Sequence, residues 1–195
     1  LSRNEVLFSP TLTPSFTRVL KIPILTTLQS LTLEGYWISV AFISQKEMAE
    51  LAKKYKGKRG PTDILSFPPP SSSPPFLWRG KVFLGELLLA PGYIIPFCQR
   101  LKLELDAQAT RIMIHGTLHL AGYDHDTNDR LKRMLAKENQ ILALIPPKIQ
   151  KRIADLFLHL ADLYEMGESS NASPSGTSGA NTPPKHPQAK RGRHP

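Results

Sequence analysis

The chain has 195 residues, 41% of them apolar, and a formal net charge of +9. That length suits one domain whose core buries well over half of the unfolded surface, so no disulfide staple is required, and a single cysteine, Cys98, excludes a disulfide framework and a cysteine-based zinc site. The lone cysteine fits a reducing compartment such as the cytosol, no apolar run approaches the ~20 residues of a membrane span, and the first residues, with Asn4, Glu5, Pro10 and Pro14, do not read as a secretory signal.

Residues 11–34 carry a helical pattern interrupted by Pro14 and Pro23. Tyr36–Ser44, rich in aromatic and branched residues, reads as a buried strand. Gln45–Tyr55 follows with Met48, Leu51, Ala52 and Tyr55 at helical spacing. Asp63–Phe67 and Lys81–Leu89 read as two more strands, and Pro68–Pro75 between them, five prolines and three serines, reads as a surface loop. Residues 104–121 form the strongest helix candidate, apolar on nearly all sides toward its end and therefore buried there. Asp126–Leu144 is an amphipathic helix with Leu131, Met134, Leu135, Ile141 and Leu142. Lys148–Tyr164 is another, with Ile149, Ile153, Leu156, Phe157, Leu160, Leu163 and Tyr164 on one stripe. Residues 167–195 lack the apolar groups that offset chain ordering and read as a disordered basic tail. That tail holds Lys185, Lys190, Arg191 and Arg193 against Glu168, so +3 of the +9 lies in it. The remaining excess leans mildly toward a polyanionic partner such as RNA or DNA.

Half of the six histidines fall in residues 115–125, His-Gly-Thr-Leu-His-Leu-Ala-Gly-Tyr-Asp-His. On a helix, His115 and His119 lie one turn apart on one face. Gly122 is suited to a left-handed turn that ends the helix and swings His125 back toward the same point. Three neutral imidazoles with an open fourth position make a catalytic zinc site, whereas a closed structural site has four protein ligands. A single histidine on an apolar helix is usually a core residue, and a lone His-x-x-x-His pair is a weak signal. The added glycine and third histidine make coincidence a poor account. The spacing is that of the metzincin zinc proteases, but those place a glutamate base directly after the first histidine. Here that position is Gly116, so peptide hydrolysis by the zinc–glutamate route is disfavoured.

Residues 115–125 match at every fixed position the signature His-Gly-x-Leu-His-Leu-x-Gly-Tyr-Asp-His, and on these and two further segments the chain resembles the YbeY family of bacterial rRNA maturation factors, proposed single-strand endoribonucleases. The second segment is Tyr55-Lys56-Gly57-Lys58-Arg59-Gly60-Pro61-Thr62-Asp63-Ile64-Leu65-Ser66-Phe67-Pro68, and Leu84-Gly85-Glu86-Leu87 is similar to a family strand. The resemblance spans about residues 36–145. Two positions depart: Lys56 stands where the family has arginine, keeping charge without the bidentate fork, and Ala52 where it usually has asparagine.

The resemblance implies an α+β fold, a small mixed four-stranded sheet with helices covering one face and the metal-binding helix in the core. It implies one domain from residue 1, with 1–35 as its N-terminal segment and 36–145 as the catalytic core, followed by an extra helix at 146–166 and the tail at 167–195. It implies a cytoplasmic zinc-dependent endoribonuclease with one zinc per chain on His115, His119 and His125, acting in 16S ribosomal RNA maturation and ribosome quality control. Its partners would be ribosomal RNA and the small ribosomal subunit or its assembly factors. Lys56, Lys58 and Arg59 are candidate phosphate contacts or a solvated basic loop. Asp124 either orients a ligand imidazole or belongs to the N-cap region of the next helix. Glu86 is a buried acid near the site or an ordinary strand carboxylate, and Trp37, Phe76 and Trp78 are base-stacking or packing residues. Two rival readings stay open: a non-catalytic, zinc-stabilised ribosome-assembly factor, and a metal-dependent hydrolase of another substrate.

Overall fold

A parallel β-α-β unit opens the fold: β1 (Glu5–Ser9), α1 (Pro14–Ser30) and β2 (Tyr36–Phe42), with β1 and β2 in register from Glu5↔Trp37 to Ser9↔Ala41. The computed structural model describes residues 4–9, 12–57 and 59–166; the expected tail at 167–195 lies outside them, as does Lys58. Pro14 does not interrupt α1 but occupies its first turn, where a missing N–H costs nothing. Pro23 is accommodated inside the helix, with the Thr27 hydroxyl donating to its carbonyl at 2.7 Å.

The chain continues through α2 (Gln45–Lys56), β3 (Ile64–Phe67), β4 (Leu77–Trp78) and β5 (Lys81–Leu89), then α3 (Pro91–Leu101), α4 (Leu105–Leu120), α5 (Asn128–Ala143) and α6 (Pro147–Met166). The strand order is β1-β2-β5-β3, with β5 parallel to β2 and antiparallel to β3, and β4 paired to β5. The class is α+β with a mixed sheet of five strands. Three of the elements among the described residues carry weak local signals. β1 and β4 are too short to show a period, and α3 contains Pro91, Gly92 and Pro96, residues that punctuate most sequences; Pro91 opens the helix, where its missing N–H costs nothing, and Pro96 lies inside it.

Strand alternation sorts the side chains onto two faces. Ile38, Val40 and Phe42 of β2, Leu87 and Leu89 of β5 and Ile64 of β3 point to one face. There they pack with Leu20, Ile24 and Leu28 of α1, Met113 of α4, and Ile153, Phe157 and Leu160 of α6. Each fully buried side chain of this size contributes roughly 1.5–3 kcal/mol, so α6 belongs to the same core. On the opposite face, Leu65, Phe67 and Leu88 pack under Met48 and Leu51 of α2. Helices therefore cover both faces rather than one. α5 also differs in detail from its sequence pattern: Leu131 and Leu135 are 39% and 44% exposed, while Met134, Glu138 and Ile141 are its buried residues.

Candidate metal centre

The site is built on α4 as it crosses β3. At the crossing the helix has no side chain: a Cβ on Gly116 would overlap Ile64 Cδ1 and crowd Leu87 and Ser66. The Ser66 hydroxyl donates to the Gly116 carbonyl at 3.3 Å. His115 and His119 flank this contact, one turn apart, with their Nε2 atoms 3.1 Å from each other. α4 then stops in a Schellman motif: Gly122 takes φ 89°, its N–H donates to His119 O at 3.0 Å, and the Tyr123 N–H donates to Leu118 O at 2.9 Å. The reversed chain brings the His125 ring within 4.9 Å of the His119 centroid and 5.5 Å of the His115 centroid. One ring nitrogen from each histidine lies within 4.8 Å of the others. The three residues singled out by spacing thus converge.

The hydrogen bonds behind the rings determine which nitrogens face the centre. His119 Nδ1 lies 2.9 Å from the Tyr123 carbonyl oxygen. A carbonyl only accepts, so Nδ1 carries the proton and Nε2 presents its lone pair. The Schellman turn that ends the helix is what places that carbonyl. His115 Nδ1 lies 2.7 Å from Glu138 Oε1, and a carboxylate beside the Arg111 guanidinium is likewise an acceptor. With both rings neutral, two unprotonated Nε2 atoms face each other at 3.1 Å, an arrangement relieved by a cation between them, whether a metal ion or a proton. Two imidazole–metal bonds of about 2.0–2.1 Å at a tetrahedral angle separate their nitrogens by about 3.3 Å. The donor set, its tautomers and its spacing fit a transition metal ion on His115, His119 and His125. Burial, first, and the neighbouring His115 and His125 push the His119 pKa below its ordinary value, which keeps the ring neutral, as a metal ligand must be.

The hydrogen bond that Asp124 makes among the described residues runs to the chain rather than to a ring. Asp124 Oδ1 accepts from the His125 backbone N–H at 2.8 Å, and this bond holds its carboxyl below the usual range. Its action is on the turn that delivers His125. A cleft of about 550 Å³ opens beside the histidines, lined also by Lys56, Thr62, Asp63, Ser66 and Tyr123. Lys56, at the end of α2, reaches this lining; Arg59 is exposed and is not part of it. Glu86 accepts from the Ser39 hydroxyl at 3.2 Å on the sheet face opposite α4, so it is a strand carboxylate away from the centre. Trp37 packs on Phe83 with ring centroids 4.4 Å apart, and against Phe76 and Trp78, on that same far face.

Glu138 is the residue that spacing around the histidines does not reveal. The signal is present, however: it is the one acid on the buried α5 stripe between Met134 and Ile141, and an acid there requires a partner.

Residues 11–145 match the family model described as Endoribonuclease YbeY, a stretch that includes α1 and ends before α6. A relative from Thermodesulfovibrio yellowstonii, named Endoribonuclease YbeY, is 39% identical over 111 residues, covering 56% of this chain and 67% of the relative. One of the same name from a Sulfurihydrogenibium species is 31% identical over 126 residues, covering 65% and 78%. A solution structure of a Thermotoga maritima protein aligns over 91% of this chain and 100% of that one, at 19% identity and a TM-score of 0.44.

Proposed function

Because this chain belongs to the Endoribonuclease YbeY family, we propose that it cleaves single-stranded RNA with one zinc ion per chain held by His115, His119 and His125. In this reading it acts in the cytoplasm on precursors of 16S ribosomal RNA and in ribosome quality control. Its partners are ribosomal RNA and the small ribosomal subunit or its assembly factors. The observation that carries the proposal is the convergence of three imidazoles beside a polar cleft with no carboxylate at position 116. Three imidazoles favour zinc over harder ions.

When bound, zinc supplies Lewis acidity toward a phosphoryl oxygen and a base at neutral pH. RNA brings its own nucleophile, the 2′-hydroxyl. The residues of this chain have three tasks. His115, His119 and His125 hold the ion with their Nε2 or equivalent lone pairs turned inward. The Lys56 ammonium, in the cleft lining, offers a positive charge to a phosphate and so opposes the charge that develops on it. Thr62, Asp63 and Ser66 line the polar wall, where a single strand, with its bases unpaired, has hydrogen-bonding groups to offer. Gly116 leaves no room for the glutamate base of a zinc peptidase.

The test pairs metal content with cleavage. Wild type and His119→Ala are assayed for bound zinc and incubated with a labelled single-stranded fragment of precursor 16S RNA. Wild type is expected to hold about one zinc per chain and to cut, and the variant to do neither. If wild type holds zinc but both proteins cut equally, or neither cuts, the chain is a non-catalytic assembly factor stabilised by its metal. Metal-dependent cleavage of a peptide library would instead make it a hydrolase of another substrate.

A further inference from the structure

We propose that Glu138 is a positioning residue of the metal centre, holding the His115 ring with its proton on Nδ1 and its Nε2 turned to the ion. The inference rests on the metal-centre reading above and assigns a task to a residue outside the histidine motif. Glu138 lies on α5, its side chain 3% exposed. Its two oxygens are divided: Oε1 lies 2.7 Å from His115 Nδ1, and Oε2 lies 3.4 Å from Arg111 Nη1. The guanidinium makes its shorter bond, 2.8 Å, to Asn139 Oδ1. The short contact of the carboxylate is therefore with the imidazole, and Arg111 serves as a looser second partner.

A tie between α4 and α5 would not explain this choice of residue. Met134 and Ile141 flank Glu138 on the stripe that packs with Ile114 and Leu118 of α4. An apolar side chain between them would join the helices without the desolvation that a buried ion pair costs. The carboxylate instead meets one ligand ring at its outer nitrogen, and this is the position from which a partner fixes both tautomer and ring orientation. The other rings are served differently. His119 has the Tyr123 carbonyl, and Asp124 bonds to the His125 backbone rather than to its ring. Among the described residues, Glu138 is the side-chain carboxylate that hydrogen-bonds a ligand imidazole.

The experiment measures zinc affinity by chelator competition, using zinc alone as the probe, on the full chain and on His115→Ala, Glu138→Leu and Glu138→Gln. The His115 tautomer is read in parallel by long-range nitrogen–proton NMR of the metal-free proteins. Glu138→Leu is expected to bind zinc about 10–100-fold more weakly and to show His115 with a substantial fraction of its proton on Nε2. Glu138→Gln, of the same shape, is expected to lose less affinity and to shift the tautomer in the same direction. It decides the matter if the leucine variant does not fold. A purely structural role for Glu138 would lower stability and leave the tautomer unmoved. Wild-type affinity and tautomer in the glutamate variants, with His115→Ala losing zinc, overturn the positioning role alone. Undiminished zinc affinity in His115→Ala overturns the metal-centre reading itself.

Discussion

Gly116 of α4 meets Ile64 of β3 with no space between them for a side chain: a Cβ there would overlap Ile64 Cδ1 and lie 3.0 Å from Leu87 Cδ2. Ile64 is 5% exposed and Leu87 fully buried, so the ends of both packed side chains must shift to admit a methyl. Alanine gains roughly 0.5–1 kcal/mol over glycine in a helix, but overpacking a core costs typically 1–3 kcal/mol. Gly116→Ala is therefore expected to lower the thermal midpoint, as read by circular dichroism. A midpoint at or above wild type would mean that the helix–strand contact relaxes freely and that Gly116 is not required by packing.

Glu165, near the end of α6, accepts from the Gln45 backbone N–H at 2.9 Å. That N–H is at the first residue of α2, whose N-terminus already carries a capping box between Ser44 and Glu47. The carboxylate adds a second anchor where the helix dipole favours negative charge. Gly92 leaves the space that it occupies, since a Cβ there would overlap its side chain. Glu165→Ala is expected to cost about 1 kcal/mol in denaturant unfolding, with Glu165→Gln retaining part of it. No change in either variant would show that the α6–α2 bond contributes nothing in solution.

The metal-free protein is expected to lose stability in mild acid. Burial and two neighbouring imidazoles depress the His119 pKa in the folded state, so the unfolded chain binds a proton first. The contribution is fully present above the ordinary histidine value of about 6.5 and is lost as the pH falls from there through the depressed folded value. Denaturant midpoints between pH 7.5 and 5 should fall for wild type and fall less for His119→Gln. Parallel curves for the two proteins would remove His119 as the cause.

Lys56 and Arg59 separate in the tertiary structure, one on the cleft lining and the other off it. Lys56→Ala is expected to weaken binding of a single-stranded RNA and to reduce the salt dependence of that binding by about one unit of slope. Arg59→Ala is expected to have the smaller effect. Filter-binding titrations at several salt concentrations check both, and equal slopes in wild type and Lys56→Ala would return Lys56 to the role of a solvated surface cation.

Much of the site was legible along the chain because its parts are local. His115 and His119 share a helix face by the 3.6-residue period, and Gly122 reverses the chain within three residues, so the spacing of five residues (His115, Gly116, His119, Gly122 and His125) already implied a metal centre and excluded the peptidase base. The long periodic elements, α2, α4, α5, α6, β2 and β5, were legible for the same reason. β1, β4 and α3 were not, since each is short or rich in proline and is stabilised by the neighbours it pairs with or packs on.

What only the tertiary structure decided are the relations between segments far apart in sequence. Glu138 stands 23 residues from the ring it meets; Glu165 stands 120 residues from the amide it caps. Asp124, adjacent to a ligand, serves that ligand's backbone rather than its ring, and Glu86 lies on the wrong face of the sheet to join it. Local propensity acts through a few bonds of chain and determines which side chains share a face. Which faces meet is determined by burial of the whole apolar surface at once, and no single segment carries that information.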